Sequence, residues 1–182
     1  MALSPTLWRT CRVLSGATRL ALLRRIIRTP GMSVGALADA EGLGIGRTSQ
    51  ELRRLQARGI VGVERHGRFV RYFPVPDPAV SSAGPILRAL QESCTRYGAA
   101  MPERTAQLAR GVAHEKRLAV VRAMQAGPQA VEELQAALKI PVPTLWHHLR
   151  FLRAGGWIAP QNGKWMLARN EHPLAKCLGR MA

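Results

Sequence analysis

Acidic residues are scarce in this chain of 182 residues: 11 Asp and Glu stand against 27 Lys and Arg, which leaves a formal charge of +16. A one-sided charge of that size in a small protein makes a strong positive field, whose usual partner is a polyanion. Cysteine is nearly missing too. Cys11, Cys94 and Cys177 are odd in number and form no Cys-x-x-Cys pair, so they do not suggest a disulfide framework, and a reducing, cytoplasmic setting is expected. No segment reaches the roughly 18 consecutive apolar residues of a membrane span. The opening stretch MALSPTLWRTCRVLSG is interrupted by Arg9 and Arg12 and lacks the apolar run of a secretion signal. Membrane and secreted readings drop out on these grounds.

What is present is an ordinary apolar share, 47 %, enough to bury a core. The chain also repeats itself. Arg19-Leu20-Ala21 recurs as Arg117-Leu118-Ala119, 98 positions on. At an offset of 97, Leu37 matches Leu134, Leu43 matches Ile140, Leu52 matches Leu149 and Leu55 matches Leu152. Ala57, Gly59 and Val61 match Ala154, Gly156 and Ile158 at the same offset. A near-constant offset over such a length predicts two copies of one domain. Between them, the Pro/Ser/Gly-dense stretch from Pro74 to Pro85 opposes both helix and central strand and reads as a linker or exposed turn. The expected division is therefore a first domain over 1–73, a linker and connecting helix over 74–101, and a second domain with a C-terminal helix over 102–182. Both parts are basic: thirteen Arg and Lys against four acids up to position 73, and fourteen against seven beyond it.

Local signals order the elements. Ser4-Pro5 pairs an N-cap with a proline at the first helical position, and Leu7, Cys11 and Leu14 fall on one face of the helix that follows, which Gly16 breaks. A helix is expected over 17–28 with Leu20, Leu23 and Ile27 on its inner side, ended by Thr29-Pro30-Gly31. Ser33 caps a short helix bearing Val34, Leu37 and Ala38. The run from Glu41 to Gly46 reads as a glycine-rich turn, followed by a helix over 47–58 with Leu52 and Leu55 inward. Ile60 to Val63 and Phe69 to Tyr72, joined through His66-Gly67, predict a hairpin. In the second half helices are expected near 103–111, 115–126, 130–138 and 143–154. A hairpin of Trp157-Ile158 and Trp165-Met166-Leu167 turns on Asn162-Gly163, the strongest short hairpin signal. Helical stretches at 85–97 and 172–180 lie outside the repeat. Their stripes, Leu87, Leu90 and Cys94 in one and Leu174 and Leu178 in the other, are expected to pack the halves or two chains together.

Helix, short helix, turn, helix and hairpin make a mainly α fold with small β-hairpin wings: tandem winged helix-turn-helix domains. The run Pro143-Thr144-Leu145-Trp146-His147-His148-Leu149-Arg150-Phe151-Leu152-Arg153-Ala154-Gly155 resembles the recognition-helix segment of ArsR-like bacterial regulators. The run from Arg47 to Gly59 is similar but more divergent. The resemblance covers roughly 16–73 and 113–168. It implies control of transcription by binding double-stranded DNA, usually as a homodimer on a two-fold operator. Two copies in one chain depart from that pattern and leave open a pseudo-dimer within one chain or a homodimer with four wings. A nucleoid-associated, cytoplasmic repressor acting by operator occlusion is the favoured function; a non-specific architectural binder and a protein-interaction module are the alternatives.

A recognition helix offers bidentate donors to base edges while nearby cations hold phosphates. In the first copy Arg47, Ser49, Gln50, Arg53 and Arg54 are expected to face outward, with Arg65, His66, Arg68 and Arg71 on the adjoining wing. In the second, Leu145, Leu149 and Leu152 should face the core and leave Thr144, Trp146, His147, Arg150 and Arg153 outward, with Lys164 near the wing tip. Trp146 suits a protein interface as well as DNA, and Trp157 is its candidate companion. The first copy is expected to be the better DNA reader.

Metal sensing, common in ArsR-like proteins, needs clustered thiolates or His with carboxylates. Neither recognition helix nor the helix before it holds a cysteine. The remaining candidates are His172 with Cys177, and Cys11 with Cys94; as free cysteines on apolar faces they read first as core. No metal or cofactor is implied. His147-His148 lie about 100° apart on a helix, no carboxylate stands at metal-ligand spacing, and the Gly42-Leu43-Gly44-Ile45-Gly46 run does not follow a strand as a phosphate cradle would. An enzyme is not expected.

Overall fold

The computed structural model describes residues 6–67 and 69–181. Along the chain run α1 (Leu7–Leu14), α2 (Ala17–Arg28), β1 (Met32–Ser33), α3 (Val34–Glu41), α4 (Ile45–Gln56), β2 (Gly62–His66), β3 (Phe69–Phe73), α5 (Ala83–Tyr97) and α6 (Met101–Gly111). They are followed by α7 (Glu115–Ala123), α8 (Val131–Leu138), α9 (Val142–Ala154), β4 (Ile158–Gln161), β5 (Lys164–Leu167) and α10 (Pro173–Gly179). The expected helix start at Ser4-Pro5 lies outside the described residues. Two compact units emerge, one built on Gly16–Ala106 and the other on Leu7–Ser15 with Gln107–Ala182. The 85–97 stretch, expected as a connector, thus forms α5 inside the first unit, where it packs on α2.

In the first unit, α2 buries Leu20, Leu22, Leu23 and Ile26 completely. The expected stripe of Leu20, Leu23 and Ile27 is displaced, because α2 is apolar around more than one row and Ile27 is only half-buried. Ser33 caps α3 as its sequence position indicates, its hydroxyl accepting from the Ala36 N–H at 3.2 Å. Gly42 ends α3 at φ 62, a left-handed conformation that favours glycine. The Leu43 N–H then folds back on the Ala38 carbonyl at 2.8 Å.

The next helix begins earlier than its composition suggests, at Ile45 rather than Arg47. The Thr48 N–H closes the first turn on the Gly44 carbonyl at 3.0 Å. Helix-opening amides lack intrahelical partners in any case, so Gly46 in the first turn is tolerated. Thr48, Leu52 and Leu55 bury the inner face of α4.

The hairpin β2–β3 pairs Val63 with Tyr72 and His66 with Phe69. A third strand, absent from the sequence reading, joins it: β1 pairs Met32 with Tyr72 and Ser33 with Arg71, giving the order β1-β3-β2. Two residues cannot announce themselves by alternation, which is why β1 was not anticipated. The stretch after the hairpin is irregular, as expected, but anchored: the Asp77 N–H donates to the Gly59 carbonyl at 2.9 Å, and Val80 is buried. Gly59 has φ 66, and a Cβ there would meet Asp77 Cβ at 2.9 Å.

The second unit has the same succession in α7, α8, α9 and β4–β5. Its hairpin turns on Asn162 and Gly163 at φ 50 and 75, between paired Gln161 and Lys164. This is the two-residue turn that Asn-Gly indicates. Gln129 bridges Trp165 through two 2.8 Å backbone bonds, in the place β1 holds in the first unit. Gly111 and Gly155 approach so closely that a Cβ on Gly111 would lie 2.6 Å from Trp157 Cδ1. The buried Trp157 donates from Nε1 to the Leu108 carbonyl at 2.8 Å. Cys11 is part of the core, where burial pushes its thiol up to about 12. His172 caps α10, its Nδ1 accepting from the Leu174 N–H. No helix is long and apolar enough to cross a membrane among the described residues.

Candidate nucleic-acid interface

At about 100° per residue, the residues opposite the buried Thr48, Leu52 and Leu55 on α4 are Gln50 and Arg53. Arg47 and Arg54 flank them on one side and Ser49 on the other. Arg47, Gln50, Arg53 and Arg54 are exposed, and Ser49 is half-buried. The α4 candidates of the sequence reading therefore share one outward ridge, with Ser49 at its margin. Their charges are not equally available. Arg54 donates to Glu51 Oε1 at 2.7 Å, and the other Glu51 oxygen holds the Arg19 Nε at 2.6 Å. Arg19 and Glu51 expose only 10 % and 14 % of their side chains, so this pair clamps α4 against α2. Gly16 leaves room for it, since a Cβ there would press on the Arg19 guanidinium at 3.2 Å. Arg47 and Arg53 have no carboxylate partner among the described residues. Burial raises the Tyr72 phenol pKa while the positive charge of Arg53 pulls the other way, so Arg53 acts on the hairpin as well as on the ridge.

The two described wing arginines, Arg65 and Arg71, do not share a face. In the β2–β3 register Arg65 lies across from Val70 and Glu64 across from Arg71, and paired residues share a face while successive ones alternate. Arg65 and Arg71 therefore point to opposite faces of the hairpin. Arg71 also donates to the Gly31 carbonyl at 3.3 Å. Arg68 lies outside the described residues, and Phe69 exposes an apolar ring on β3.

On α9, Leu145, Leu149 and Leu152 are completely buried, as the spacing required. His147 and Arg150 face outward, Trp146 and Arg153 flank them, and Thr144 is half-buried rather than outward. Trp146 is 50 % exposed and rests edge-on against Trp165, ring centroids 6.1 Å apart. Trp157, its candidate companion, is buried and hydrogen-bonded and offers no contact surface. Lys164 is engaged: its Nζ lies 3.1 Å from Glu133 Oε1. Glu133 also accepts from the Ala130 N–H at 2.6 Å, and these two bonds, the backbone one first, hold its pKa below the ordinary carboxylate range. Glu132 and Glu133 open α8, whereas α3 has no acid in its first turn. The cationic footprint of this unit is thus thinner than that of the first.

The site also holds a residue not anticipated from the sequence. His148 stands where the 97-residue offset puts Glu51, but it is only 6 % exposed, and neither ring nitrogen has a hydrogen-bond partner among the described residues. Its ring lies 4.9 Å from that of His114. Arg117, at the place of Arg19, donates instead to the Arg110 carbonyl at 2.7 Å and packs over Phe151 at 4.7 Å. Burial, with the positive charges around it, pushes the His148 pKa down to about 4. The available signal was the loss of a carboxylate at this position of the repeat.

Residues 114–158, from the cap of α7 through α8 and α9 to the first residue of β4, match the family model of the bacterial regulatory protein, arsR family. That is a family of DNA-binding regulators and not of enzymes. No curated protein matches the chain. The second unit is therefore similar to an ArsR-type winged helix-turn-helix, a likeness that points to binding of double-stranded DNA in the regulation of transcription.

Proposed function

We propose that this protein is a sequence-reading transcription regulator with two winged helix-turn-helix copies, over 1–73 and 102–182, that represses by occluding its operator. The first copy is the principal reader. The observation that carries this is the ridge on α4, where Gln50 and Arg53 stand opposite the buried face beside Arg47, which has no carboxylate partner among the described residues. Gln suits adenine and Arg suits guanine, each good bidentate pair contributing about 1–3 kcal/mol of discrimination. Arg65 on one face of the wing and Arg71 on the other serve phosphates, and a homodimer would present two such ridges to a two-fold site. The experiment is a salt series on DNA upstream of the protein's own gene against a scrambled duplex. A preference of about a thousandfold at physiological salt is expected, with Gln50→Ala or Arg53→Ala losing discrimination and Arg65→Ala weakening both duplexes alike. Equal binding with steep salt loss on both duplexes would instead indicate an architectural binder held by charge alone.

Exposed Trp146 favours a second role for α9, a protein contact that leaves DNA reading to α4. Thr144, His147, Arg150 and Lys164 would then be peripheral to the operator. In this reading Trp146→Ala alters the oligomeric state measured by light scattering and leaves DNA affinity unchanged. The reverse pattern would assign α9 to DNA.

A further inference from the structure

Four arginines decorate α2, and they divide into two kinds. Arg19 is held by Glu51, and Arg25 by Glu41 at 2.8 Å. Arg24 and Arg28, one helical turn apart, have no carboxylate partner among the described residues. Both line a cleft of about 500 Å³ inside the first unit, between α2 and one face of α5. Its other walls are Ile27, Gln91, Cys94, Thr95 and Gly98, none of them acidic. The Arg24 Nε is buried without an acceptor among the described residues. Buried donors are nearly always satisfied, and the exceptions call for a missing partner. The cleft lies in the size range of small-molecule sites, which are mostly apolar with a few placed polar groups.

We propose that the α2–α5 cleft binds a small organic carboxylate, its carboxylate group held by Arg24 and Arg28 and its apolar body laid against Ile27 and Cys94. A guanidinium fork matches the planar carboxylate, while Gln91 and Thr95 add neutral polar groups around it. The apolar wall favours an organic ligand over inorganic phosphate. Cys94 reports on occupancy. Burial pushes its thiol up to about 11 although Arg24 and Arg28 pull the other way, and an anion seated between them would remove that pull and make the thiol slower to react. The site uses no residue of the α4 ridge, so it stands or falls apart from the DNA reading.

The test is calorimetric titration of the full chain with acetate, benzoate and citrate, with inorganic phosphate as a separate arm. Iodoacetamide modification of Cys94 is followed by peptide mass mapping with Cys177 as internal control. Benzoate is expected to bind and to slow Cys94 modification about threefold or more while leaving Cys177 unaffected. Arg24→Gln and Arg28→Gln should each weaken binding about tenfold, with Arg28→Gln the safer variant because Arg28 is exposed. The proposal is overturned if none of the three carboxylates binds or protects Cys94 at about 20 mM. Phosphate binding alone, binding that survives Arg28→Gln, or protection of Cys94 by duplex DNA alone would overturn it equally.

Discussion

Replacing Glu51 by leucine takes the carboxylate away from the guanidinium of Arg19, which exposes only a tenth of its side chain and whose Nε lies 2.6 Å from the Glu51 carboxylate. Removing one partner of a fully buried ion pair costs about 3–5 kcal/mol, mostly the desolvation of the survivor. Both side chains here keep a little contact with water, so about 2–3 kcal/mol is expected. Arg54 also loses its partner, but it is exposed and that contact adds less than about 1 kcal/mol. For a chain of this size the loss lowers the melting temperature by about 4–12 °C. The assay is thermal and urea unfolding of the wild type, Glu51→Leu, Arg19→Met and the double variant. Each single variant should be destabilised, whereas the double should return to within about 1 kcal/mol of the wild type, because apolar groups of similar volume replace a buried pair without leaving a charge behind. A cost for Glu51→Leu below about 0.5 kcal/mol, or a double variant equal to the sum of the singles, would refute the argument. DNA affinity of the double variant then shows whether the pair also aims the α4 ridge.

The buried His148 makes stability depend on pH. Its folded pKa is depressed to about 4 by burial and by His114, Arg117, His147 and Lys116, whereas the unfolded residue takes its proton near 6.5. Between these values the unfolded chain binds more protons, so stability is complete above about 6.5 and falls as the pH drops toward 4. At pH 5 the loss due to this residue should be about 1–2 kcal/mol. His148→Leu should remove that part of the slope, and urea titrations in which both proteins show the same slope would contradict it. Gly111→Ala drives a methyl into Trp157 and should cost about 2–3 kcal/mol in urea unfolding; a neutral result would mean that the indole can move aside. Lys139 ends α8 at φ 53, the left-handed position that Gly42 fills in the first unit. Lys139→Gly should therefore gain about 0.5 kcal/mol where such a change at an ordinary position loses about 1 kcal/mol, and a loss of that size would show that the strain is relieved otherwise.

Much of this protein is legible in one dimension because its signals are local. Ser33 caps because its hydroxyl reaches an amide three residues away, and Asn162-Gly163 turns because both residues accept positive φ. Leu52, Leu55, Leu149 and Leu152 declare the inner faces of α4 and α9 by their spacing, and so the outward ridge with Gln50 and Arg53 follows. The basic surplus is set by composition alone. What composition and periodicity left undecided are the contacts between residues far apart in the chain. The pairing of Arg19 with Glu51, the engagement of Lys164 by Glu133, and the addition of β1 to the hairpin each join segments about 30 or more residues apart. No local preference encodes such pairings, because their energy exists only after packing has excluded water and fixed both partners. The same holds for Arg65 and Arg71, on the two strands of one hairpin, which the strand register sends to opposite faces. It holds also for Trp157 and His148, whose burial is decided by the elements that close over them. The sequence by itself determined which helices and turns form and, where apolar residues keep to one row as on α4 and α9, which faces they bury. Tertiary structure decided which charges remain free to meet a ligand, because an arginine is available only where no carboxylate from a distant segment reaches it.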